Sequence, residues 1–158
     1  MNERIFSSEF MRKWKKETKS KLWFHKIADP TVQGAPTGKR AVDYIGCLNG
    51  RMIGIEWKYI INDRMPLSRV RPNQIKTLEE IQAVGGSAFI FIGRLCVNEK
   101  LVFMIPINVW RKMLLYERIS CSLSSSFPKF LYHIPKYQKP YRDFLEKMER
   151  LICENPNP

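Results

Sequence analysis

Residues 41–60 read Ala41-Val42-Asp43-Tyr44-Ile45-Gly46-Cys47-Leu48-Asn49-Gly50-Arg51-Met52-Ile53-Gly54-Ile55-Glu56-Trp57-Lys58-Tyr59-Ile60, and this stretch decides the fold. Two runs rich in Val, Ile, Tyr and Trp flank Asn49-Gly50. Asn-Gly is the strongest short hairpin signal, because both central positions of the tight turn need positive φ. A two-residue loop there sets Leu48 opposite Arg51, so opposed residues have numbers adding to 99 and Asp43 faces Glu56. Side chains alternate along a strand. Glu56 and Lys58 therefore share a face with Asp43, while Val42, Tyr44, Ile53, Ile55 and Trp57 form the opposite, core face.

Opposed Cβ atoms on a hairpin lie roughly 4.5–5.5 Å apart. Two carboxylates that close repel, so one is protonated or a cation sits between them. A lysine one step along the face adds a positive donor. Two acids and a lysine suit a hard divalent cation such as magnesium, which keeps several of its waters. Such an ion polarises a phosphodiester and acidifies a bound water. The alternative on spacing alone is a plain ion pair on a surface sheet face, worth little.

Upstream, residues 2–21 read as a helix, with Phe6, Phe10 and Trp14 at i, i+4 and i+8 and a basic remainder that includes Lys13 and Lys16. Residues 22–27 read as a strand and 29–40 as a loop with Pro30, Gly34, Pro36 and Gly38. Downstream, 61–70 reads as a polar loop. A helix starts at Pro72, which suits the first helical turn, and stops at Gly85-Gly86. Residues 87–92 and 101–105 read as strands and 108–116 as a short helix. Residues 120–140 are irregular, and 141–153 read as a final amphipathic helix. The pattern predicts an α/β fold with a mixed central β-sheet flanked by helices.

The 158 residues suit one domain, with a core over about 1–116 and an extension over about 117–158. Twenty-seven Lys and Arg against 15 Asp and Glu give a formal net charge of +12, an electrostatic footprint for nucleic acid. No apolar run is long enough to span a membrane, and the first ten residues, with Glu3 and Glu9, do not read as a signal peptide. A cytoplasmic protein without a membrane partner is expected, of bacterial, archaeal or phage origin. Four cysteines without a Cys-x-x-Cys pair read as reduced thiols rather than a zinc site. No Gly-rich GxxxxGK loop is present, so no nucleotide cofactor is indicated. Trp14, Trp23, Trp57 and Trp110 are expected mostly in the core.

Asp43 followed by Glu56-Trp57-Lys58 resembles the core of the PD-(D/E)xK nucleases, with a restriction-endonuclease-like fold. Asp43-Tyr44-Ile45-Gly46, Glu56-Trp57-Lys58, Pro66-Leu67, Pro72-Asn73-Gln74 and Gly85-Gly86-Ser87-Ala88-Phe89-Ile90, in that order, resemble RecU-type Holliday junction resolvases. Archaeal Hjc-type resolvases share the core. The resemblance covers about 41–106. It implies a homodimer acting on four-way junction DNA, with magnesium as cofactor and manganese able to substitute. It implies a metal held by Asp43, Glu56 and the main-chain carbonyl of Trp57, with Lys58 as the catalytic lysine. Family members also use a glutamate of the first helix, for which Glu9 is the match, and a glutamine matched by Gln74. Read as residues alone, Glu9 and Gln74 are equally solvated helix side chains. Val42 stands where the superfamily name has proline, and 29–40 is short where RecU-type enzymes carry a long stalk.

Beside these, Thr37, Lys39 and Arg40 precede the first acidic strand and suit a phosphate near the metal, or form a solvated basic turn. Arg64, Arg69 and Arg71 suit contact with a second DNA strand. The expected function is a metal-dependent endonuclease resolving four-way junctions by paired symmetric hydrolysis. A restriction-like or repair nuclease on duplex DNA and a non-catalytic basic DNA-binding module are the alternatives.

Overall fold

The hairpin forms around Asn49 and Gly50, at φ +50° and +80°. In the computed structural model, strand β4 (Tyr44–Leu48) pairs antiparallel with β5 (Arg51–Ile60), from Leu48 opposite Arg51 to Tyr44 opposite Ile55. That is the register expected from the turn. The structure describes residues 2–17, 22–28, 31–32, 35–36, 41–96, 99–115, 120–122 and 131–134. The expected helix over 141–153 lies outside the described residues.

In chain order the elements are α1 (Glu3–Glu17), β1 (Leu22–Lys26), β2 (Thr31–Val32), β3 (Ala35–Pro36), β4, β5, β6 (Arg64–Pro66), a 3-10 turn (Leu67–Arg69), α2 (Pro72–Ala83), β7 (Ser87–Cys96), β8 (Glu99–Pro106), α3 (Ile107–Leu115), β9 (Ser120–Ser122) and β10 (Leu131–Ile134). Six strands make one sheet in the order β1-β4-β5-β7-β8-β10. β5 and β7 run parallel and the other neighbours antiparallel, so the sheet is mixed. A parallel pair needs a crossover between its strands, and α2 supplies it.

Three sequence readings change. The loop over 29–40 contains the β2–β3 pair, Thr31 opposite Pro36. The polar loop over 61–70 contains β6 and the 3-10 turn, and its Met65, Leu67 and Val70 are buried, so only part of it is solvated. The irregular stretch over 120–140 contributes β9 and β10.

Both faces of the sheet are covered. On one face α1 lays Phe6, Phe10, Met11 and Trp14 against Tyr44, Ile53, Ile55, Trp57 and Phe91. The rings interlock, with Phe10 at 5.2 Å from Trp57 and edge-on to Phe91 at 6.1 Å. Such pairs add about 0.5–1.5 kcal/mol beyond their burial. Asn2 caps the helix, its Oδ1 accepting from the Ile5 amide at 3.0 Å.

On the other face α2 and α3 pack Leu78, Ile81, Ile107 and Trp110 against Ala88, Ile90, Ile92, Phe103 and Ile105. Val42 belongs to this second cluster, not to the Tyr44 face as alternation implied, because the regular strand begins only at Tyr44. Gly54 lets α2 come close: a Cβ there would meet Ile81 Cδ1 at 2.4 Å. Trp14, Trp57 and Trp110 are buried as expected, whereas Trp23 on edge strand β1 is 56% exposed.

Candidate active site

β5 outruns its neighbour. β4 pairs with it only as far as Ile55, yet β5 continues to Ile60. In the same register the amides of Trp57 and Tyr59 point past the start of β4 and lose their ladder acceptors. Buried backbone N–H groups do not go unmade. Two carboxylates take them. The Trp57 amide donates to Asp43 Oδ2 at 2.8 Å, and the Tyr59 amide donates to Glu3 Oε2 at 2.9 Å. Two residues along a strand separate them by about 6.6 Å.

Asp43 is fixed from both sides. Its carbonyl accepts from the Ile27 amide at 2.8 Å, just past β1, while its side chain reaches β5. It is 3% exposed, and Glu56 is 1% exposed. That burial removes the reading of these acids as a surface ion pair.

Glu56 lies on the α2 side. The Lys58 ammonium contacts Glu56 Oε1 as a hydrogen-bonded ion pair. Gln74 Nε2 donates to the same oxygen at 2.6 Å. Gln74 is 3% exposed and sits in the first turn of α2, so the close approach allowed by Gly54 is what brings it to Glu56. The positive end of the helix dipole also favours a carboxylate here. A buried charge survives only when paired and hydrogen-bonded, and Glu56 has both.

A pocket of about 400 Å³ opens beside Asp43 and Trp57, walled by Glu3, Arg4 and Ser7 of α1 and by Lys26, Ile27 and Ala28. Lys26 Nζ sits over the Tyr44 ring at 5.7 Å, and the Tyr44 hydroxyl is 3.4 Å from Ser7 Oγ. Two cations therefore stand on the rim of an acidic cleft, the arrangement a phosphate needs beside its metal.

The donor chemistry fits a hard cation. Asp43, Glu56 and the Trp57 carbonyl offer only oxygen, and an octahedral ion that keeps several waters needs few protein ligands. Among the described residues no group of three or more His, Cys, Asp and Glu side chains is placed to hold a metal.

The structure thus joins Asp43 to the Trp57 amide, and Glu56 to Lys58 and Gln74. Glu9 is not among the residues that line the pocket. Glu9 sits on the flank of α1, 3.4 Å from Lys13. Glu3 lines the pocket instead. The signal was helix phase. At about 100° per residue, Glu3 lies within about 20° of the centre of the Phe6–Phe10–Trp14 stripe and Glu9 about 100° away. Arg4 and Lys26 carried no such signal, since their place depends on where α1 meets β1. Lys13 and Lys16 are exposed on α1. Arg69 and Arg71 are exposed beyond β5, Arg69 Nη1 donating to the Tyr59 carbonyl at 2.8 Å. Thr37, Lys39 and Arg40 lie outside the described residues.

A family model described as Recombination protein U matches residues 10–149. Among solved structures, the Holliday junction resolvase Hjc of Archaeoglobus fulgidus matches with 16% sequence identity and a TM-score of 0.43, over 64% of this chain and 77% of that one. No curated protein matches.

Proposed function

The chain belongs to the Recombination protein U family, and we propose that its buried carboxylates carry out Holliday junction resolution as a divalent-metal hydrolysis. The observation that supports this reading is a pair of carboxylates 3% and 1% exposed, beside a lysine, in a chain of net charge +12. Such a chain places two acids together inside only for a reason, because burying them costs more than a surface position.

Asp43, Glu56 and the Trp57 carbonyl would hold the metal, magnesium or manganese. Bound there, it supplies Lewis-acid polarisation of the phosphate and a lower pKa for a coordinated water. Lys58 orients the attacking water and faces the charge that develops on the phosphate. Gln74 fixes the Glu56 carboxylate on the α2 side through its bond to Oε1. Arg4 and Lys26 hold the neighbouring phosphates, and Glu3 completes the acidic wall. Water attacks the phosphorus in line and the 3′-oxygen leaves. Two copies related by a two-fold axis would nick symmetric strands, so the working form is a homodimer.

No helix among the described residues is long and apolar enough to cross a membrane.

The test is cleavage of a labelled four-way junction beside an equal-length duplex, with magnesium and with EDTA. Paired symmetric nicks on the junction alone, abolished by EDTA, are expected. Junction binding without cleavage under magnesium and manganese would overturn the hydrolytic reading.

A further inference from the structure

Directly after β5 the chain bends over residues 61–63 before β6 begins at Arg64. Buried residues anchor the bend on both sides, Ile60 at 4% exposure and Met65 at 0%. The Arg69 guanidinium ties its base to the Tyr59 carbonyl at 2.8 Å. At its start Ile61 is 75% exposed. Isolated exposed apolar residues are ordinary. This one differs in its setting: buried residues bracket its bend, and the ten residues that follow carry exposed Arg64, Arg69 and Arg71 with Asp63 as their single acid.

Resting on the resolvase reading, we propose that Ile61 is an apolar wedge that enters the base stack at the branch point while these arginines grip the flanking phosphates. Three physical points carry it. An aliphatic side chain inserted at a base step unstacks it, and the cost is least where stacking is already interrupted, as at a four-way crossover. The neighbouring arginines complement phosphate, and this charge favours DNA over an apolar protein partner. Finally, Ile61 follows Lys58 by three residues, so at the strand rise it lies within about 10 Å of it, or about three steps along one DNA strand. The wedge therefore fixes the nick within about three nucleotides of the crossover.

The experiment uses a four-way junction carrying 2-aminopurine at the crossover and a linear duplex of equal length, in EDTA, with the intact protein. Wild type should raise the 2-aminopurine fluorescence. Ile61→Ala should abolish most of that rise and weaken junction binding about tenfold, with duplex binding within about twofold of wild type. Ile61→Met should restore both, because a similar apolar volume is returned. A wild-type fluorescence rise and affinity in Ile61→Ala, or equal losses on junction and duplex, would overturn the wedge. A wild-type protein with no preference for the junction would instead overturn the resolvase reading itself.

Discussion

Gln74 joins a helix cap to a buried acid: its Nε2 donates to Glu56 Oε1 at 2.6 Å while its own Oε1 accepts the Arg71 amide at 2.9 Å. Glutamine at the third helical position reaching back to the cap amide is half of a capping box. Here the other end of the same amide group is aimed at the buried carboxylate. The start of α2 and the orientation of Glu56 are therefore one structural unit.

Gln74→Met keeps the volume and removes both bonds. Removing the bond to a charged, buried acceptor together with the cap should cost about 2–4 kcal/mol. For a domain of this size that lowers Tm by roughly 4–16 °C. Cleavage measured well below the new Tm should still fall at least about tenfold, because a misplaced reacting group loses more than its bond energy. Unchanged cleavage at that temperature would reduce Gln74 to a helix cap.

Glu3 and Glu9 give a sharp pair. Glu3→Gln retains an oxygen for the Tyr59 amide and removes only the negative charge beside Asp43. Its cleavage rate should drop about tenfold or more with little change in Tm. Glu9→Gln breaks an exposed i,i+4 pair with Lys13, worth about 0.3–0.5 kcal/mol, and cleavage should stay within about twofold. The reverse ranking in a magnesium-dependent assay would return the role to Glu9.

The contrast between these glutamates shows what the sequence carries. The hairpin and its register were legible, because Asn49-Gly50 admits one tight turn and the alternation follows from it. The burial of Asp43 and Glu56 was not, since two acids on a hairpin read equally as a surface pair. Glu3 was legible only through the phase of α1, and that phase was read for Phe6, Phe10 and Trp14 but not extended back by one turn. The burial of Met65, Leu67 and Val70 was not legible, since irregular backbone has no period to read. Nor was the second apolar face, which depends on α2 settling onto Gly54, a long-range contact between elements far apart in the chain.

Asp43→Asn separates structure from chemistry. The amide oxygen still accepts from Trp57, so Tm should move by no more than about 2–4 °C, a change of about 1 kcal/mol. On the proposed metal site one of two carboxylate ligands is gone, and cleavage should fall by about 10²–10⁴. Calorimetric titration with manganese should show weakened metal binding. Junction binding in EDTA should be kept or slightly tightened, because a negative charge near the phosphates has been removed. A variant that folds, binds junctions and cleaves at the wild-type rate would place the metal elsewhere.

The exposed cations of α1 make a different kind of prediction, because they act on phosphates and carry no sequence or chemical role. Lys13 and Lys16 lie one turn apart on a helix whose N-terminal residues, Glu3, Arg4 and Ser7, wall the pocket. A duplex arm leaving that pocket has a basic track to follow. Each phosphate that is no longer neutralised by a lysine lowers the slope of log affinity against log salt by about 0.9. The double substitution Lys13→Gln/Lys16→Gln should therefore flatten that slope by about 1.8 if both lysines meet phosphate. It should weaken binding to junctions and linear duplexes alike, since backbone contact does not read shape at the crossover. Once the junction is saturated, the single-turnover cleavage rate should match wild type, because neither ammonium belongs to the acidic cluster. A slope unchanged from wild type would mean that this helix face stays in solvent and that the arms leave the pocket along another surface.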